Sequence, residues 1–396
     1  MVDKKKHVLF IVENNAVPLD VRVWREALFL KEHEYKVSVI SPVNNRYFKK
    51  YEIINDIEIY RHPMPYEANK KAGFMFEYLN AIFWEFYLSI KIFVKKPFHF
   101  IHSANPPDHI FLIAFLFKVL GVKFIFDHHD ICPENYIAKF NRKDFFYYLL
   151  LFFEKLSFKI SDIVISTNES YKKIAIERGK KKKESVFIVR NGPDLTSVDF
   201  VPPNKELKNG FEYLVVYVGV IGKQDGIENL LNIAKYIIFE KKVKTIKFLV
   251  VGTGPEWNYL VELSKIMGLE RNVQFTGYIP YRQFYEVIAS ADVCINPEYR
   301  NEFTDKSTML KIMDYMTFKK PIVQFETIEG KVTAGNAALY IKKNDDVKFA
   351  EAIIELLKDK LKRKEMGEAG WLRLCESLIW KKQQQNLIAA YKYLEN

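Results

Sequence analysis

Cysteine is scarce in this chain of 396 residues. Cys132, Cys294 and Cys375 lie far apart, which offers neither a disulfide framework nor the paired spacing of a metal cluster. A reducing, cytoplasmic compartment is therefore expected, with no metal site. Long apolar runs are missing as well. No segment reaches the ~20 uninterrupted apolar residues of a membrane span: Phe145–Phe153 stops at Glu154, and Ile110–Phe126 is broken by Lys118 and Gly121. The basic head and apolar run of MVDKKKHVLFIV resemble a secretory signal only superficially. His7–Val12 is too short, and Glu13-Asn14-Asn15 ends it, so it reads as a first buried strand. Low-complexity sequence is confined to Lys180–Lys183, a solvated loop.

What is present is apolar bulk and positive charge. The composition is 49% hydrophobic and 28% charged, with 32 Phe, 23 Tyr and a net charge of +11. The length suits two domains of roughly 150–200 residues each. The charge fits an anionic membrane surface, a phosphorylated substrate or nucleic acid. No basic-aromatic recognition motif supports the last, so no nucleic-acid partner is expected.

Strands and helices alternate along the chain. Val8–Val12, a helix over Val21–Glu34 and Lys36–Ser41 form a βαβ unit. A strand over Ile53–Arg61, a long aromatic helix over Phe74–Val94, strands at Phe98–His102 and Lys123–Asp127, and helices at Asp108–Leu120 and Lys143–Lys159 extend it. Asp162–Ser166 and Ser185–Val189 add two more strands. The turn Asn191-Gly192-Pro193-Asp194 and the polar run Leu195–Gly210 form the best linker. Beyond it the alternation restarts at Tyr213–Val218. Two doubly wound parallel-sheet domains, 1–200 and 201–375, follow, with ligands expected past the carboxyl ends of the strands in a cleft between them.

The most informative stretch is Asn296–Val323. A polar loop, Asn296 to Asp305, precedes a helix whose Met309, Ile312, Met313 and Met316 share one apolar face. Asp305, Ser307 and Thr308 are cap residues, so free amides at this helix start are expected to attract an anion, with Lys306 adding charge. Asp314, two turns on, is placed to accept from ribose hydroxyls. Glycine loops also follow the strands of the second half: Gly219 to Gly226 with Gly222 and Lys223, then Gly252 and Gly254, then Gly277 beside Tyr278. Such loops let backbone amides approach a pyrophosphate. In the first half the loop candidates are Glu13-Asn14-Asn15, Asp20 with Arg22, His102 to Asn105, and Asp127-His128-His129-Asp130 through Glu134. Two histidines among carboxylates suggest metal ligands. Adjacent side chains on extended backbone point apart, however, so substrate handling is the stronger expectation.

The strand-loop-helix ENNAVPLDVRVWREAL, the loop SANPPD, HHDICPE, VRNGPD, VGVIGKQDG, VGTGPE, FTGYIP and the stretch from Asn296 together resemble the GT-B fold, family-four retaining glycosyltransferases. Bacterial enzymes of O-antigen and capsular polysaccharide synthesis are the most similar subgroup. The resemblance implies two Rossmann-like domains, with residues 376–396 forming a C-terminal helix that returns to the first. It implies nucleotide in the second domain, contacted by Gly219, Gly222, Lys223, Gly252, Gly254, Tyr278, Asn296, Ser307, Thr308 and Asp314. His129 would face the donor sugar, Asp130 and Glu134 would orient it or the acceptor, and Asn15, Arg22 and Asn105 would lie on the acceptor side. Two departures stand out. Family members carry arginine and lysine where this chain has Val220 and Asp225, and a pair of glutamates where it has Lys306 and Asp314. Lys306 is therefore expected to supply the missing diphosphate charge, with Lys223 assisting. The implied activity moves a sugar from a UDP-sugar, in preference to a GDP-sugar, to a hydroxyl, without cofactor or metal. The implied acceptor is a glycan on a polyprenyl-diphosphate-type lipid at the inner face of the cell membrane. The rivals are a UDP-sugar 2-epimerase of the same fold, a dinucleotide oxidoreductase and a non-enzymatic binder of anionic polymer.

Overall fold

The structure, a computed structural model, describes residues 5–63 and 71–395. The chain forms two compact units. One comprises the chain up to Ile137, Asn141–Arg190 and the residues from Gln383; the other comprises Ala138–Phe140 and Asn191–Lys382. The polar run 195–210 lies within the second unit.

The first unit is built on eight strands: β1 (His7–Ile11), β2 (Lys36–Pro42), β3 (Tyr51–Ile54), β4 (Ile57–His62), β5 (Phe100–Ala104), β6 (Lys123–His128), β7 (Ile163–Ser166) and β8 (Val186–Ile188). Their order is β3-β4-β2-β1-β5-β6-β7-β8. All neighbours are parallel except β3 and β4. The single strand expected over 53–61 is thus a hairpin. Asn55 and Asp56 take φ of 49° and 60°, the left-handed pair of a two-residue turn that these side chains tolerate. Helices on both faces bury the inner strands, so Val8–Ile11 is apolar without alternation. Asp20 caps the helix Val21–Glu32 by accepting from the Val23 amide.

A second difference from the sequence reading is the helix Cys132–Phe140, where a loop was expected. Pro133 sits in its first turn and left-handed Asn141 ends it. The last helix, Trp380–Glu395, brings Tyr391 into the first unit. Its ring packs edge-on against Phe100, with centroids 5.5 Å apart, and its hydroxyl lies 2.8 Å from His102 Nδ1.

The second unit carries six parallel strands: β9 (Tyr213–Val218), β10 (Ile246–Val251), β11 (Val273–Gly277), β12 (Val293–Asn296), β13 (Ile322–Phe325) and β14 (Ala338–Ile341). Their order is β11-β10-β9-β12-β13-β14. Val215 and Tyr217 face one helical layer, Leu214 and Val216 the other. The direction of winding reverses between β9 and β12, and a ligand crevice in an open α/β sheet lies at the carboxyl ends of that strand pair. The first unit has the corresponding reversal between β1 and β5.

The aromatic helices of the first unit are only partly committed to its core. Leu88 and Ile92 of the helix Lys71–Lys95 are buried, yet Phe83 is 63% exposed; Phe115 of Phe111–Lys118 is 54% exposed and Phe145 of Phe145–Ile160 is 72% exposed. Ring contacts Phe93–Phe117 and Phe111–Phe153 hold the three helices side by side. Among the described residues no helix is long and apolar enough to cross a membrane.

Candidate functional site

In the second unit the residues at the β9/β12 reversal converge. The helix Leu310–Thr317 lies under it, because the buried Tyr315 hydroxyl accepts from the Val218 amide at 3.0 Å and donates to the Ile295 carbonyl at 3.1 Å. One turn earlier on the same face is Lys311. Its ammonium donates to Glu298 at 2.6 Å and to the Tyr217 hydroxyl at 3.1 Å, and lies 4.5 Å from the centre of the Tyr217 ring. Burial would lower the Lys311 pKa, but the Glu298 carboxylate, then Tyr217 and Asp225, outweigh it and hold the ammonium charged above its ordinary range. A Cβ on Gly219 would meet Lys311 Cε at 3.1 Å and Nζ at 3.3 Å. The cation therefore stands directly beside the first glycine loop. Asp225 is close to this group. Burial is the largest influence on its carboxyl, opposed by Lys311 and reinforced by Glu298, and pushes it up to about 6.

The glycines have a packing reason beyond ligand access. A Cβ on Gly252 would lie 1.8 Å from the Gly219 carbonyl oxygen, on Gly254 2.5 Å from that of Ile221, and on Gly226 2.3 Å from that of Pro297. The loops after β9, β10 and β12 are thus stacked backbone on backbone. Gly222 is buried, Lys223 is exposed, and Tyr278 is 77% exposed on the loop after β11. A shallow concavity of about 300 Å3 beside Gly222, Lys223, Glu256 and Tyr259 reaches neither Lys311 nor Asp314.

The stretch from Asn296 differs from its expected form. Asn296 closes β12, buried, with no hydrogen bond to its side-chain oxygen. Two helices follow instead of one: a short turn, Glu302–Lys306, capped by Asn301, and Leu310–Thr317. Asp305, Ser307 and Thr308 therefore do not cap the longer helix; Met309 stands at its N-cap without a side-chain bond. Asp305 accepts from the Ile328 amide and pairs with Arg300. Lys306 ends the short turn, 4.0 Å from Glu302, rather than standing at a helix N-terminus. The break at Ser307–Met309 takes Lys306 and Asp314 off one continuous helical face. Ser307 is buried; Thr308 and Asp314 are half-buried. Lys311, Glu298 and Tyr217 escaped the sequence reading. The signal for Lys311 was its spacing, three and four residues before Asp314 and Tyr315.

In the first unit Asn105 organises the loop after β6. Its side-chain oxygen accepts from the His129 and Asp130 amides, at 2.8 and 3.0 Å, and its amide group donates to Asp108 and the Asp130 carbonyl. The adjacent histidines diverge as extended backbone requires. His128 is buried against Phe158, while His129 keeps 16% of its side chain exposed, with Nδ1 3.5 Å from Asp127. Asp127 is gripped by Arg22 through two 2.7 Å bonds, and Arg22 also donates to the Val189 carbonyl. Burial opposes ionisation of Asp127, but Arg22, His102 and His129 hold it well below the usual carboxylate range. Arg22 thus serves the interior, not an open acceptor face, and its partner is Asp127; Asp20 caps the helix Val21–Glu32. Glu134 is bound by Arg178 at 2.8 Å, which also grips Glu154 at 2.6 Å. Asp130 accepts from Asn135 at 3.4 Å, and Asn15 is half-buried after β1. Glu26, His102 and Asp127 approach one another closely enough to hold a cation; Arg22 already supplies the positive charge there.

Residues 212–359 match the family model described as glycosyl transferases group 1. The capsular polysaccharide biosynthesis glycosyltransferase CapM of Staphylococcus aureus is 23% identical over 252 residues, 60% of this chain and 64% of CapM, so the match spans under two thirds of that relative. Among solved structures, sucrose-phosphate synthase from Thermosynechococcus elongatus superposes with a TM-score of 0.80 at 17% identity over 99% of both chains. Anabaena HepE in complex with UDP-glucose superposes with a TM-score of 0.73 at 12% identity, over 98% of this chain and 99% of that one. These are GT-B folds, and the resemblance read from the motifs stands for the fold.

Proposed function

From a GT-B fold whose second unit matches the group 1 glycosyl transferases, we propose that the chain transfers a sugar from a nucleoside-diphosphate donor, UDP in preference to GDP, to an acceptor hydroxyl with retention at the anomeric carbon. One observation carries this reading: Lys311, its side chain 10% exposed and held charged, faces the Gly219 loop at the reversal between β9 and β12. A fixed cation at such a crevice suits charge that grows on a departing diphosphate. The bond from the anomeric carbon to the diphosphate oxygen breaks while the acceptor oxygen bonds to the same face. A departing phosphate oxygen takes the acceptor's proton. Protein groups, led by Lys311 with Lys306 and Lys223 nearer solvent, neutralise the leaving group without a metal ion. Asp314 receives the ribose hydroxyls, and His129, oriented by Asp127, contacts the donor sugar. The HepE complex with UDP-glucose and the polysaccharide role in the name of CapM support a uridine donor and a cell-surface glycan acceptor.

The acceptor is proposed to be lipid-linked, reached by docking of the first unit on an anionic membrane. Exposed Phe83, Phe115 and Phe145 lie on three adjoining helices; Lys91, Lys95 and Lys155 are exposed on two of them, and Lys143 is exposed just before the helix Phe145–Ile160. Apolar area with flanking cations is the composition of an interfacial surface.

Calorimetric titration with UDP-sugars, GDP-sugars and uridine tests the core of this reading. Binding of a UDP-sugar is expected, followed by transfer to a glycan acceptor, with the proton coupling of the product showing the donor's anomeric configuration retained. A chain that binds none of these nucleotides would overturn this reading of the donor.

A further inference from the structure

We propose that Glu13, His62, Glu85 and His109 form a binding site for one divalent transition-metal ion of the zinc class inside the first unit. The four residues come from different elements: Glu13 follows β1, His62 ends β4, Glu85 lies on the helix Lys71–Lys95, and His109 follows β5. All four are at most 4% exposed. Ligand atoms of Glu13, Glu85 and His109 lie within 4.8 Å of one another. His109 Nε2 is 2.8 Å from Glu13 Oε2, and His62 Nε2 is 3.8 Å from Glu85 Oε1. Two ligands 2.0–2.2 Å from a tetrahedral zinc ion stand about 3.3–3.6 Å apart, so an ion would part Glu13 from His109 and draw the wider pairs inward, His62 included, which lies outside the group within 4.8 Å.

Two chemical features ask for a cation there. Neither oxygen of the buried Glu85 carboxylate makes a hydrogen bond, although a buried carboxylate without a partner is costly. His62 places Nδ1 3.3 Å from the Pro63 carbonyl, and a carbonyl can only accept. The hydrogen is therefore on Nδ1, and the Nε2 lone pair faces the Glu85 oxygen. That carbonyl-fixed tautomer is the arrangement that orients metal-binding histidines. Two carboxylates also balance a divalent charge, and the mixed nitrogen and oxygen set suits zinc or cobalt more than calcium or magnesium. Arg22 fills the equivalent role in the Glu26, His102, Asp127 group. The bound ion would tie the Glu13–Asn15 loop to the helix Lys71–Lys95, fixing the carboxyl end of β1 independently of any transferase activity.

The test uses the full chain, purified without a histidine tag and stripped by a chelator. Adding one equivalent of Zn2+ is expected to raise the melting temperature. Co2+ is expected to bind in a one-to-one ratio with visible absorption from nitrogen and oxygen ligation. Glu85→Gln and His109→Gln should each weaken Co2+ affinity at least tenfold, the scale of losing part of a metal's ligand environment. Glu85→Gln also gives a sign test in the stripped protein. There it relieves an unpaired carboxylate and should raise the melting temperature, whereas with zinc present it should lower it. No melting shift with either ion, or a Co2+ spectrum unchanged in both variants, would overturn the site and leave a proton shared among the carboxylates in its place.

Discussion

At the scale of single residues, charge and burial decide the roles. Lys306 and Lys311 are both near Asp314 in sequence, but Lys311, its side chain 10% exposed against 32% for Lys306, is the one set against a glycine loop. Lys311→Met alone strands the buried Glu298, a change that costs about 3–5 kcal/mol, so it is best paired with Glu298→Gln. The double variant should fold and lose about 1.5–3 kcal/mol of UDP affinity, the scale of a charged hydrogen bond. Uridine affinity should be nearly unchanged, and Lys306→Met should cost less than Lys311. Calorimetry on the two ligands checks both; equal losses for uridine and UDP would remove the diphosphate role. Asp225 gives a pH prediction. Its carboxyl is pushed up to about 6 from 3.8, so the folded chain holds that proton more tightly than the unfolded one. Its contribution to stability is greatest below the unfolded value and declines as pH rises through about 6. Asp225→Asn should therefore stabilise the chain at pH 8 by ~1–3 kcal/mol and by little at pH 4, measured by urea unfolding at the two values.

At the scale of elements, the glycine loops are legible as loops but not as a stack. Glycine after a strand fits an approaching phosphate or an approaching carbonyl equally well in sequence. Only the pairing of β10 beside β9 brings Gly252 against the Gly219 carbonyl. Gly252 has φ of +131°, so Gly252→Ala meets both backbone strain and a clash with main chain. A loss of about 2–4 kcal/mol in unfolding free energy is expected, with nucleotide affinity reduced because the Gly219 loop is displaced. Normal stability together with normal affinity would show that the loops are not stacked this way in solution. The hairpin at Asn55-Asp56 and the two helices after Asn301 escaped for a related reason. Turn residues within an apolar run, and several candidate caps in a row, leave the breakpoint to tertiary contacts.

At the scale of the molecule, the aromatic helices of the first unit leave large apolar side chains exposed, Phe83, Phe115 and Phe145 among them. Sedimentation with liposomes distinguishes docking from an inert surface. Binding to anionic but not neutral vesicles is expected, weakened by salt through screening. Changing Lys91, Lys95, Lys143 and Lys155 to Ser should reduce it by up to about 1 kcal/mol per cation. Phe83→Ser with Phe145→Ser should weaken what remains, through lost apolar burial. Equal recovery in the supernatant with both vesicle types at low salt would exclude docking, and the acceptor would not need to be lipid-linked.

The sequence by itself determined the alternation of strands and helices, because buried parallel strands and amphipathic helices carry periodicities that local reading can detect. It also determined that polar and glycine-rich residues gather at strand ends, and that His128 and His129 diverge. Tertiary structure alone decided which of those residues meet. Arg22 finds Asp127 across 105 positions, Arg178 takes Glu134 across 44, and Lys311 finds Tyr217 across 94. Each pairing depends on strand order, which no local pattern encodes. Burial then sets the outcome, since a charge withdrawn from water must find its partner wherever the fold has brought one.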